Sequence, residues 1–128
     1  MSVRIGFIVV DDYGALYGTC VGAMRVIQYR ILFESPKKSA TFKHDRVRVT
    51  LQWAANVFAP HGTLNISKLV LAYTVEYKFL VDVNYLDRRL QTIVNQKLTV
   101  KAGGDDGFNQ AIDFMREYLA SCAKWMSR

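Results

Sequence analysis

The residues best suited to bind something lie between Glu34 and Arg48. This stretch holds five lysines or arginines against two acids, a balance that no other segment matches. Lys37, Lys38, Lys43, Arg46 and Arg48, with His44 among them, surround Pro36 and the small residues Ser39, Ala40 and Thr41. Phe42 adds a ring able to stack or anchor. Cations at this density suit phosphate oxygens, which reward charge without regard to base sequence. A solvated loop leading into a helix would carry the same residues. On the residues alone, RNA contact and a plain solvated connection both stand.

Other chemistry is poorly provided for. His44 and His61 are the only histidines, and no Cys or His cluster has ligand spacing, so no metal is expected. The run Gly103-Gly104-Asp105-Asp106-Gly107 has the glycines of a phosphate cradle, but its two carboxylates would repel an anion. A turn leading into a helix explains it better. Cys20 and Cys122 lie far apart on apolar faces and read as buried thiols. Asp11-Asp12 is a carboxylate pair of the kind that hairpin turns hold routinely. Nothing assembles into a nucleophile, a base and an orienting group. No catalytic residue, cofactor or small-molecule substrate is therefore expected.

At 128 residues the chain fits one domain with a single core. Its apolar share of 51% suits a globular protein, and no apolar run approaches a membrane span. The start, Met1-Ser2-Val3-Arg4, lacks a signal peptide's layout, because Asp11 and Asp12 interrupt it. Two cysteines without paired spacing fit a reduced, cytoplasmic setting. A net charge of +6 favours nucleic acid or an acidic partner.

The elements follow from periodicity. Val3 to Val10 is nearly continuous in apolar character, as a strand covered on both faces is. Asp11 to Gly14 makes a turn, Ala15 to Val21 a returning strand, and Met24 to Phe33 a third. Val47, Leu51, Ala54, Ala55 and Phe58 then recur at helical spacing, which predicts a helix over Asp45 to Phe58, ended by Pro60 and Gly62. Lys68 to Tyr73 reads as a buried strand and Val75 to Val81 as a helical turn or two. Tyr85 to Val94 reads as a second helix and Lys97 to Lys101 as a strand. The last helix presents Phe108, Ile112, Met115, Leu119, Cys122 and Met126 as one stripe, with Asp105 and Asp106 at its positive end. The expected fold is α/β: a mixed, mostly parallel sheet of about five strands flanked by helices, with a long C-terminal helix.

Several of these segments together resemble the middle domain of the eukaryotic and archaeal class I translation release factors. Gly6-Phe7-Ile8-Val9-Val10-Asp11 with Gly14-Ala15-Leu16-Tyr17-Gly18-Thr19 resembles the opening of that domain. Pro36-Lys37-Lys38 matches the entry to its catalytic arm, and Leu69-Val70-Leu71-Ala72 its central strand. Leu86-Asp87-Arg88-Arg89-Leu90-Gln91 is similar to its next helix. Gly103 to Ile112 is close to its last loop and helix start. The similarity runs from about Arg4 to Ala120. The rescue factor Pelota shares the fold, but these motifs look nearer the release factor.

The departures shape what the resemblance implies. The family's arm carries a Gly-Gly-Gln triplet whose glycines let backbone enter the peptidyl transferase centre, while its glutamine helps position water on the peptidyl-tRNA ester. This sequence contains no such triplet. From Lys38 it passes through Ser39-Ala40-Thr41-Phe42 to Lys43-His44, so the arm reads as truncated around residues 38–43. No counterpart of the family's codon-reading or GTPase-recruiting domain is recognised, and Asn65-Ile66-Ser67-Lys68 only scrambles its Asn-Ile-Lys-Ser motif. The resemblance thus implies a non-enzymatic, ribosome-associated protein. Its partner would be large-subunit rRNA near the A site, touched by Lys37, Lys38, Lys43, His44, Arg46 and Arg48, with a dormancy or inhibitory role. Two alternatives remain open: a protein-interaction module on the same scaffold, and a cut-down release-factor domain.

Overall fold

The structure, a computed structural model, describes residues 3–33 and 40–126, the side chains of 40 and 120–126 excepted. Five strands form one sheet: β1 (Arg4–Val10), β2 (Gly14–Val21), β3 (Met24–Leu32), β4 (Lys68–Tyr73) and β5 (Val94–Thr99). Their order across the sheet is β3-β2-β1-β4-β5. The β1–β2 and β2–β3 pairings are antiparallel, whereas β1–β4 and β4–β5 are parallel. Four of the five strands therefore run the same way and only β2 opposes them. The sheet is mixed and mostly parallel in strand direction.

Helices cover both faces, which is why β1 lacks polar alternation. On one face Ile8, Val10, Ala15, Tyr17, Leu69 and Leu71 pack against Val47, Leu51, Ala54 and Phe58 of α1 (Ala40–Phe58). On the other, Ile5, Phe7, Val9 and Leu16 meet Phe108, Ala111, Ile112 and Met115 of the helix that closes the fold, Gly104–Met126. The predicted stripe on that helix is confirmed as far as Leu119. Cys122 and Met126 lie outside the described side chains. Cys20 is buried with a free thiol, as expected.

Three boundaries differ from the periodicity reading. The first helix starts at Ala40 and not near Asp45, because the start needs no apolar stripe of its own. The segment read as a helix over Tyr85 to Val94 is a single turn at Val83–Tyr85 followed by four-residue α2 (Arg88–Gln91). Strand β5 then begins at Val94, earlier than Lys97, since Val94 pairs with Leu69 in the sheet. The ladder outcompetes helix continuation through β-branched Thr92, Ile93 and Val94, which crowd a helix and suit a strand. The closing helix, labelled α3 (Gly104–Met126), carries Asp105 and Asp106 in its first turn, as expected.

Asp87 caps α2, its Oδ1 accepting from the Arg89 backbone N–H at 2.9 Å. The same carboxylate is held by the Arg89 side chain, and hydrogen bonds from Arg89 lower it to about 2. A depressed carboxylate contributes stability above its ordinary titration range and loses it as pH falls toward the lowered value. Because the pair is exposed, the capping bond dominates. Asp87→Ala should cost about 1 kcal/mol by chemical denaturation at neutral pH, and the deficit should shrink in acid. An equal deficit in strong acid would contradict this assignment.

Two phenols tie the layers together. Tyr17 donates from its hydroxyl to the Thr50 carbonyl in α1 at 2.7 Å, and burial pushes its titration far up. Burial first, then the Asp12 carboxylate it bonds, does the same to Tyr77. A phenol kept neutral by the fold adds stability that is complete below its ordinary value of 10.0 and is lost as pH rises through the raised one. Of the seven tyrosines, Tyr17 and Tyr77 should ionise only as the helical circular dichroism collapses in alkali. Phenolate absorbance that saturates while the fold persists would contradict this.

Candidate nucleic-acid interface

The start of α1 lies at the carboxyl ends of the parallel strands β1 and β4, the end of an open α/β sheet where binding sites gather. The β1–β2 turn sits there too. Asp11 closes it by accepting from the Tyr13 and Gly14 backbone N–H groups at 3.0 and 2.9 Å. Asp12 reaches across to other elements. Its Oδ1 accepts from the Tyr77 hydroxyl at 2.7 Å and lies 3.6 Å from Lys43 Nζ. Arg46 donates to the Asp12 carbonyl at 3.5 Å and stacks over the Phe33 ring at 4.7 Å.

This arrangement answers a local conflict. A lysine in the first turn of a helix opposes the positive end of the dipole, and α1 has no acid there. Asp12, brought by another element, supplies the missing negative charge. Its carboxylate therefore serves the fold as an anchor for the helix start.

The other predicted residues scatter from that cluster. His44 Nε2 lies 2.8 Å from the Tyr85 hydroxyl, with the rings edge to face. Arg48 pairs with Asp45 one turn along, at 3.4 Å. Both remain exposed or half-buried on the helix surface. Lys37 and Lys38 lie outside the described residues. Lys43 and Arg46 are thus drawn together around Asp12 and turned inward, while His44 and Arg48 face outward. Sequence reasoning missed Asp12, Tyr77 and Tyr85 as members of the site. Asp12 and Tyr77 stand 65 positions apart, and no local pattern links them.

The glycine-rich loop is accounted for as a turn. A Cβ on Gly103 would stand 2.3 Å from the Asp11 carboxylate, so that glycine allows the loop to pass the β1–β2 turn. An acid therefore flanks it where a phosphate cradle would need bare N–H groups. Among the described residues no group of three or more His, Cys, Asp or Glu could hold a metal ion. No described helix is long and apolar enough to cross a membrane.

A five-stranded mixed sheet in this order, with α1 crossing one face and α3 the other, defines a mixed α/β domain covered by helices on both sides. The comparisons with known proteins place it further. The chain is 32% identical over 133 residues to eukaryotic peptide chain release factor subunit 1 of Dictyostelium discoideum, covering 92% of this chain and 30% of that protein. It is 30% identical over 131 residues to its namesake in Cryptosporidium hominis, covering 91% and 30%. An archaeal translation termination factor superposes with a TM-score of 0.64 at 22% identity, over 94% of this chain and 41% of that one. Dom34 of S. cerevisiae, a translation termination-like factor, gives 0.51 at 13% identity, over 94% and 40%. These two likenesses concern the fold alone. No family model matches the chain. Over nearly its whole length this chain is a release-factor-like middle domain, and it spans about 30% of the length of the curated relatives it matches.

Proposed function

We propose that the protein is a non-catalytic, ribosome-associated factor of translation that docks near the A site of the large ribosomal subunit, occluding that site. Its sequence kinship with peptide chain release factors across nearly the whole chain carries this reading. The lack of a Gly-Gly-Gln triplet in the sequence supports the non-catalytic part, since the scaffold then has no group to position water on an ester. An inhibitory or dormancy role in the cytoplasm follows from a domain shaped for the site and without its reagent.

Contact with ribosomal RNA would run through Lys37 and Lys38 and through the outward face of α1 at His44 and Arg48. Lys43 and Arg46 contribute to the local potential, but Asp12 already engages both. Sedimentation with purified ribosomes across a salt series tests this. Binding at low salt should weaken linearly on a double-logarithmic plot, as phosphate contacts require. No association at low salt, or binding indifferent to salt, would rule it out.

A further inference from the structure

We propose that the free edge of β3, with the cleft between β3 and α3, binds an extended acidic segment of a partner protein as an added strand. This site is remote from the start of α1 and independent of the ribosomal reading.

β3 ends the sheet, so one row of its backbone N–H and C=O groups has no strand to pair with among the described residues. Unlike the other strands it is exposed almost throughout, with Met24 at 70%, Val26 at 44% and Tyr29 at 48%. Its two faces differ. Toward α3, Arg25 lines a cleft of about 410 Å³ with Asn109, Asp113 and Arg116. Neither arginine is ion-paired among the described residues, and the buried Asn109 Oδ1 has no hydrogen-bond partner. Toward α1, Tyr29 stacks on Trp53 at 4.5 Å and continues the apolar surface from Val26. A bulge at Gln28, between the Tyr17↔Tyr29 and Gly18↔Ile27 pairs, sets this division by returning Tyr29 to the α1 side.

An added strand projects alternate side chains to the two faces. Carboxylates would enter the Arg25–Arg116 cleft, and apolar groups would cover Val26 and Tyr29. Charge selects this occupant over the others. Two arginines against Asp113 leave the cleft positive. A second copy would add Arg25 of another β3, a strand that contains no acid, to a chain that already carries +6. The bulge also disrupts flat pairing of identical edges. A continuous phosphate backbone would leave the apolar face at Val26 and Tyr29 uncovered.

The test uses a fluorescent peptide alternating valine and glutamate, read by anisotropy. The wild-type protein should bind it, and Arg25→Glu with Arg116→Glu should weaken binding about tenfold or more. Lysine in place of glutamate should abolish binding. N-methylation of alternate peptide nitrogens should weaken it at least about tenfold, on the unaltered protein, because strand addition needs the backbone bonds. Equal binding of the lysine or N-methylated peptide would overturn the proposal. So would a uridine oligonucleotide that binds through Arg25 and Arg116 while the peptide does not, or a dimer that dissociates when β3 is altered. Failure on the ribosome would leave this peptide binding unchanged.

Discussion

Asp12→Ala should lower stability by about 2 kcal/mol, the largest loss expected from any single polar residue of the site. The effect comes chiefly from Tyr77. Its hydroxyl donates to Asp12 at 2.7 Å from a residue with no exposed surface, so truncation leaves a buried donor unmade. The ion pair with Lys43 adds little, because Asp12 retains 38% of its side-chain exposure and the separation is 3.6 Å. Losing the charge opposite the first turn of α1 adds a few tenths of a kcal/mol. Asp12→Asn keeps an acceptor and should cost less than half as much. A double-mutant cycle with Tyr77→Phe should return a coupling of about 1 kcal/mol. If Asp12→Ala unfolds within about 0.5 kcal/mol of wild type, a surface-variation value, Asp12 is not the anchor.

Reversing Lys37 and Lys38 to glutamate should weaken ribosome binding by about 100-fold at low salt and flatten the salt dependence by roughly two phosphate contacts. The choice of residues matters. Lys43 invites the same experiment, but Lys43→Glu would set a carboxylate against Asp12 and strain the helix start, confounding affinity with stability. Lys37 and Lys38 avoid that pair. Thermal unfolding of the double variant should stay near wild type. Unchanged ribosome binding would favour a protein-interaction module, a reading that the inward turn of Lys43 and Arg46 already encourages.

Much of the fold was legible because burial writes itself into apolar runs. The stretch Ile5-Gly6-Phe7-Ile8-Val9-Val10 reads as a strand covered on both sides, and the stripe from Phe108 to Leu119 marked the buried face of α3. The second helix was misread because Leu86, Leu90, Ile93 and Val94 satisfy helical spacing, while only the partner strand β4 decides that Val94 joins the sheet. Long-range pairing has no local signature. The site shows the same limit. A count of lysines and arginines located the basic start of α1, but not that Asp12 and Tyr77, from two other elements, would hold Lys43. Nor did composition separate charges spent on the fold from those left for a partner.

The most direct test is release from preformed termination complexes, with a limiting amount of an active release factor and increasing amounts of this protein. The proposal predicts no ester cleavage by the protein alone, and a release rate that falls as the protein saturates the A site. Cleavage of peptidyl-tRNA by the protein alone would contradict it, as would a release rate indifferent to saturating protein.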